Sequence, residues 1–122
     1  HGWEDIDIIV HSAAFAPSGQ LDGDFLDDVT REGFRVAHDV SCLQLRAPRQ
    51  GGLPMLREGG SLLTMTCLGA VRAVSHYGVM GLAKATLTAR VRYLAAASLG
   101  PRNLRGNAVS AGHHITAMAV PG

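Results

Sequence analysis

Apolar positions in this chain come in blocks rather than singly, and the blocks predict its elements. After a polar lead over residues 1–5, Ile6, Ile8, Ile9 and Val10 form a run broken only by Asp7. Without regular polar alternation, such a run predicts a parallel strand covered on both faces. Residues 15–23 read as a loop, because Pro17, Ser18-Gly19 and Asp22-Gly23 are turn formers. Thr30 is placed as a helix N-cap, with Arg31-Glu32 in the first turn and Phe34, Val36, Ala37, Val40 and Leu43 as the apolar positions. Pro48, Gly51, Gly52 and Pro54 then oppose a helix. An interior Pro costs ~3 kcal/mol and each Gly about 1, so the helix should stop or kink near residues 45–47.

A turn at Glu58-Gly59-Gly60 precedes a second buried strand over residues 61–66. A small-residue loop leads to a long Pro-free helix over about 77–99, closed by Gly100-Pro101. Its apolar residues Val79, Leu82, Ala83, Leu87, Val91, Leu94 and Ala95 occupy more than one face, which asks for more cover than one sheet supplies. Residues 104–110 predict a third strand, weakened by Gly106. The alternation of strand and helix predicts an α/β fold with a parallel sheet and flanking helices.

Composition narrows the picture. At 122 residues and 47% hydrophobic, the chain has the size and make-up of one soluble domain. Its net charge of +1 is spread, with no Lys/Arg run to form a stripe, so neither nucleic acid nor an anionic membrane is an expected partner. Cys42 and Cys67 form neither a disulfide framework nor a Cys-x-x-Cys pair, which fits a reducing cytoplasm. No signal-peptide pattern opens the chain, and no apolar run reaches the ~18 residues of a membrane span.

The candidate chemistry lies at the start of the long helix. At ~100° per residue, seven residues bring Lys84 back to within roughly 20° of Tyr77 and about 10 Å along the axis. A tyrosine hydroxyl can hydrogen-bond a developing oxyanion and deliver a proton, while a nearby lysine adds charge that favours the ionised phenol and can hold hydroxyl groups of a cofactor. On spacing alone, a boundary aromatic and a solvated amine are the commoner account of such a pair. The end of the first strand, His11-Ser12-Ala13-Ala14, is a natural ligand position, since sites in open α/β sheets gather outside the carboxyl ends of strands. Asp24, Asp27 and Asp28 read as solvated acids ahead of a helix rather than a metal cluster. His113 and His114, as strand neighbours, point to opposite faces, so no metal site is expected there.

Residues 63–84, then Val91-Arg92-Tyr93-Leu94-Ala95 and Gly100-Pro101, resemble the enoyl-(acyl-carrier-protein) reductases of bacterial fatty-acid synthesis, within the short-chain dehydrogenase/reductase superfamily. The six residues between Tyr77 and Lys84 match that group's spacing, where most other members have three. His11-Ser12-Ala13-Ala14-Phe15-Ala16-Pro17, Gln20-Leu21-Asp22-Gly23-Asp24, Thr30-Arg31-Glu32-Gly33-Phe34 and Asn107-Ala108-Val109-Ser110-Ala111-Gly112 extend the likeness over nearly the whole chain. The resemblance implies a Rossmann-like parallel sheet and NADH-dependent reduction of a trans-2-enoyl thioester carried on acyl carrier protein. It implies Tyr77 and Lys84 as catalytic residues, and Ser12, Ala13, Ala14, Lys84, His114 and Thr116 as contacts to NAD. Ala16, Cys67, Tyr77 and Met80 would face the substrate. It also implies a homo-oligomer, a tetramer, packed through the long helix.

Departures from the pattern are specific. Cys67 stands where the family has a second tyrosine, and a thiol replaces a phenol poorly in bulk and in hydrogen bonding. Val71 and Ser75 replace a Glu and a Pro, Gly106 replaces a Val, His113-His114 replace Pro-Ile, and the Ala95-Ala96-Ala97 stretch is one residue longer than usual. No Gly-rich dinucleotide turn occurs. Residues 1–122 therefore read as a partial Rossmann-like domain lacking the N-terminal nucleotide-binding unit, with an exposed sheet edge where earlier strands would pair. The alternative is an inactive fragment or degenerate paralogue that acts only by self-association. A carbonyl reductase of the same superfamily is disfavoured by the Tyr-to-Lys spacing.

Overall fold

The computed structural model describes residues 5–44 and 52–112. Three parallel strands, β1 (Ile6–His11), β2 (Leu56–Cys67) and β3 (Arg105–Ala111), form one sheet in the order β1-β2-β3. The connections carry two helices, α1 (Arg31–Ser41) and α2 (Gly78–Leu94). Because the strands are parallel, His11, Cys67 and Ala111 end along the same border of the sheet, with His11 beside Thr64 and Cys67 beside Ala111.

Thr30 caps α1 as its sequence position predicts: its hydroxyl accepts from the Gly33 amide at 3.0 Å. The buried line of α1 differs from the expected one. Gly33, Ala37 and Ser41, four residues apart, face inward, while Phe34 is 41% exposed and stacks on His38. Small residues win because they let α1 lie close against α2, where Ala37 packs with Ala16, Val79, Met80 and Ala83. α1 ends at Ser41, ahead of the predicted stop. Residues 45–47 lie outside the described part, but Leu53–Met55 is a 3-10 turn leading into β2, so no regular helix runs through residue 54.

β2 begins earlier than expected. Glu58-Gly59-Gly60 is an excursion within the strand: Ile6 pairs with Leu56, yet Ile8 already pairs with Ser61. The excursion is tied to the turn before β3, where the Gly59 amide donates to the Asn103 carbonyl at 3.0 Å and the Asn103 side chain donates to Glu58 at 2.9 Å.

β1 is not covered on both faces. Ile9 packs into the core of Leu62, Leu87, Val91, Leu99 and Leu104, whereas Ile8 and Val10, on the opposite face by the two-residue period, are each 57% exposed. The physical reason is that the described helices lie against one side of the sheet only. The long helix also departs from regularity. After Leu94 it widens into a π-helical turn, Ala95–Leu99, followed by the 3-10 turn Gly100–Arg102. A π turn takes in one residue more than an α turn, so Ala95–Leu99 holds its chain in a wider ring than the helix before it. Gly106 lies beneath this turn, and a Cβ there would sit 2.8 Å from Leu99 Cδ1 and 3.5 Å from Ala95 Cβ. The space that a side chain at position 106 would need is taken by the widened helix.

Candidate active site

Tyr77 and Lys84 reach the carboxyl end of β2 by different routes. Tyr77 is the N-cap of α2 rather than a helical residue, with φ −138° and ψ 12°, so the wheel arithmetic applies only from Gly78 onward. Its ring lies over Gly69, where a Cβ would come within 2.7 Å of Tyr77 Cδ1, and only glycine permits that approach. Its hydroxyl meets the Cys67 thiol at 3.8 Å. Lys84, 5% exposed, turns back under the sheet end and donates from Nζ to the Met65 carbonyl at 2.8 Å. The phenol and the ammonium thus address residues two positions apart, Cys67 and Met65, at the end of one strand.

Hydroxyls fix the helix where Lys84 leaves it. Thr66 Oγ1 and Thr88 Oγ1 share a hydrogen bond of 2.8 Å, and Thr88 donates to the Lys84 carbonyl at 2.8 Å. Burial holds the Lys84 amine below its ordinary pKa, with Cys67 opposing that shift. Tyr77 moves the other way. Burial first, and the adjacent Cys67 thiol second, push its phenol up to about 12. This corrects the expectation that Lys84 favours the ionised phenol: the Lys84 amine is engaged by Met65, and desolvation decides the phenol's state. At neutral pH Tyr77 is a proton donor.

Ser12, Ala13 and Ala14 lie exposed in the loop leaving β1, small side chains beside an open strand end. Ala16 and Met80 are not surface-forming. They are 7% and 0% exposed and belong to the core between α1 and α2. Cys67 is half-buried and does meet Tyr77. His114 and Thr116 lie outside the described residues. Among the described residues, no group of three His, Cys, Asp or Glu could hold a metal ion.

Several contacts at this border escaped sequence reasoning. His11 Nδ1 lies 3.1 Å from Thr64 Oγ1, and Thr64 donates back to the His11 carbonyl at 3.0 Å. Burial, and then the charge of Lys84, lower the His11 pKa, and its Nε2 is buried without a protein partner. Ser41, fully buried, accepts from the Phe15 amide at 3.0 Å and so anchors the loop that carries Ser12 to Ala14. The one available signal was polarity inside apolar segments: Thr64 and Thr66 within a strand, Ser41 at the end of a helix.

A cavity of about 560 Å³ adjoins Tyr77 on its far side, between residues 20–29 and 69–78, lined by Leu21, Phe25, Val29, Val74 and Leu82 among others. Lys84, Cys67 and Ser12 do not line it. Tyr77 therefore stands between the strand ends and this second space.

Residues 1–121 match the family described as Enoyl-(Acyl carrier protein) reductase. The chain is 54% identical over 110 residues to the enoyl-(acyl-carrier-protein) reductase (NADH) of Salmonella typhimurium, covering 90% of this chain and 42% of that protein. With the protein of the same name from Escherichia coli the identity is 53% over 110 residues, at the same coverage. The crystal structure of enoyl-(acyl-carrier-protein) reductase (NADH) from Aquifex aeolicus superposes with a TM-score of 0.88 at 42% identity, covering 98% of this chain and 47% of that one. The chain spans less than half the length of these curated relatives.

Proposed function

Since the chain belongs to the enoyl-(acyl carrier protein) reductase family, we propose that it supplies the catalytic centre of an NADH-dependent reductase acting on trans-2-enoyl thioesters of acyl carrier protein. The observation that carries this reading is the half-buried, protonated Tyr77 phenol, which meets Cys67 at the end of β2 where Lys84 Nζ binds the Met65 carbonyl of the same strand.

The residues present fit the nicotinamide and ribose half of the cofactor. Ser12, Ala13 and Ala14 leave the border of β1 open, and Lys84 commits one N–H to Met65 with two more able to serve ribose hydroxyls. The bound cofactor would supply the hydride. As charge builds on the thioester carbonyl oxygen, Tyr77 donates a hydrogen bond to it. A phenol with a pKa of about 12 does so without ionising beforehand. Lys84 adds positive charge to the same space, and its anchoring through Thr88 and Met65 keeps that charge in place. Cys67, where the family carries a phenol, offers only a weak donor and leaves more room beside Tyr77.

Self-association, with a tetramer as the expected state, belongs to the same proposal. Leu82 is 40% and Phe34 41% exposed on the two packed helices. No described helix is long and apolar enough to cross a membrane, which is compatible with work in the cytoplasm. The test is Tyr77→Phe in the protein carrying these residues, assayed with a trans-2-enoyl thioester and NADH. Turnover should fall by about 10²–10³-fold while cofactor affinity changes little. An unchanged rate would remove the proposal.

A further inference from the structure

Tyr77 has to leave the loop after β2, enter α2 as its N-cap, and still return its hydroxyl to Cys67, ten positions back in the chain. The residue that makes this turn possible is His76, whose φ is +55°. Left-handed backbone is uncommon outside glycine, and His belongs with Asn and Asp among the residues that tolerate it best. Strained conformations of this kind persist where the surroundings over-determine them, often at functional sites. The surroundings are visible: His76 Nδ1 lies 3.2 Å from Asp22 Oδ1, across the cavity between residues 20–29 and 69–78. Asp24, Asp28 and Arg72 line the same cavity.

We propose that His76 is a positioning residue for Tyr77: its left-handed backbone aims the ring onto Gly69 and the hydroxyl at Cys67, and its imidazole ties that turn to Asp22 of the facing loop. The phenol is then fixed from three directions. Gly69 receives the ring, Cys67 meets the hydroxyl, and His76 sets the chain path immediately upstream. The His76–Asp22 pair is exposed on both sides, 56% and 72%, and exposed pairs contribute little by themselves. The backbone hand therefore carries most of the effect and the pair the smaller part, which sets the order of consequences on mutation.

The proposal rests on Tyr77 acting as proposed above, and its test separates the two. In a Tyr93→Phe background Tyr77 is the sole tyrosine of residues 1–122, and comparison with the matching Tyr77→Phe variant identifies its ring signals in the protein carrying them. The NMR shifts of its ring then report its surroundings at neutral pH. His76→Asn and His76→Gly, which accept a left-handed backbone, should keep the ring shifts and hold turnover of a trans-2-enoyl thioester with NADH within about threefold. His76→Val, which does not accept it, should move the ring shifts toward those of a solvent-exposed tyrosine. It should also lower kcat by about ten- to a hundredfold with a smaller change in KM, as misplacement of a reacting group does. Asp22→Asn should cost less than about threefold. If His76→Val fails to fold, His76→Ala takes its place in the same comparison. Unchanged ring shifts and kcat in the Val or Ala variant would overturn the proposal, as would Gly and Asn variants that are equally damaged. A parent protein without reductase activity would instead overturn the functional reading, while the ring shifts still judge His76.

Discussion

Gly106→Val tests whether the widened helix end has been fitted to a missing side chain. The first added carbon would stand 2.8 Å from Leu99 Cδ1, and carbon atoms prefer about 3.5–4.0 Å, so the overlap is roughly 1 Å. Leu99 is 1% exposed, the gap it shares with Gly106, Leu62 and Val91 is too small to admit a water, and valine brings two further methyl groups. Against this, valine suits a strand and removes glycine's excess freedom, worth about 0.5–1 kcal/mol. Overpacking a filled core costs about 1–3 kcal/mol, so the steric effect prevails and the protein should lose about 1–2 kcal/mol. Deleting Ala96 in the same chain should let residues 95–99 return to α-helical geometry and open the space over position 106. The double variant should then recover about 1 kcal/mol relative to the sum of the single changes, beyond the 0.3–0.5 kcal/mol scatter of independent sites. Urea denaturation of the parent, both single variants and the double variant measures this, provided the slope m stays constant. Strict additivity, or a valine that stabilises the protein unaided, would refute the argument.

Two further outcomes concern the site. Lys84→Met should abolish a pH dependence of stability. Burial holds the Lys84 pKa below 10.5, so between the lowered value and 10.5 the unfolded chain binds the proton that the folded one has released. Stability of the parent therefore rises with pH through that window, and the Met variant should lose the rise in urea midpoints taken from neutral pH to about pH 10. A parent whose stability falls there would contradict the sign. Cys67→Ala should lower the Tyr77 pKa from about 12 without restoring its ordinary value of 10.0, because burial is the larger cause and the thiol the lesser. Alkaline titration of phenolate absorbance in a Tyr93→Phe background, taken as the difference from the matching Tyr77→Phe variant, reads this, and full restoration would show that the thiol was the dominant influence.

Local signals located much of the fold. The Thr30 cap, the apolar runs that became β1, β2 and β3, and the Pro-free stretch that became α2 depend on nearest neighbours along the chain, which sequence displays. Which face of each element is buried depends on what comes to lie against it. The apolar pattern of α1 pointed to Phe34, Val36, Ala37, Val40 and Leu43, yet close approach to α2 buried Ala37 alone of these, together with Gly33 and Ser41. β1 looked buried on both sides, yet the described helices cover only the side of Ile9.

The site divides in the same way. Tyr77 and Lys84 were legible because their identity and spacing are written in order along one segment. That the two meet β2 at Cys67 and Met65, that Ala16 and Met80 sink into the core, and that His11, Thr64 and Ser41 brace the border depended on contacts between residues up to 53 positions apart. Sequence by itself determined which chemical groups are available and which strand and helix carry them. Only the tertiary structure decided that the Tyr77 pKa moves up to about 12 rather than down toward neutrality, because a pKa answers to desolvation and neighbouring groups, and those exist only once the chain has folded.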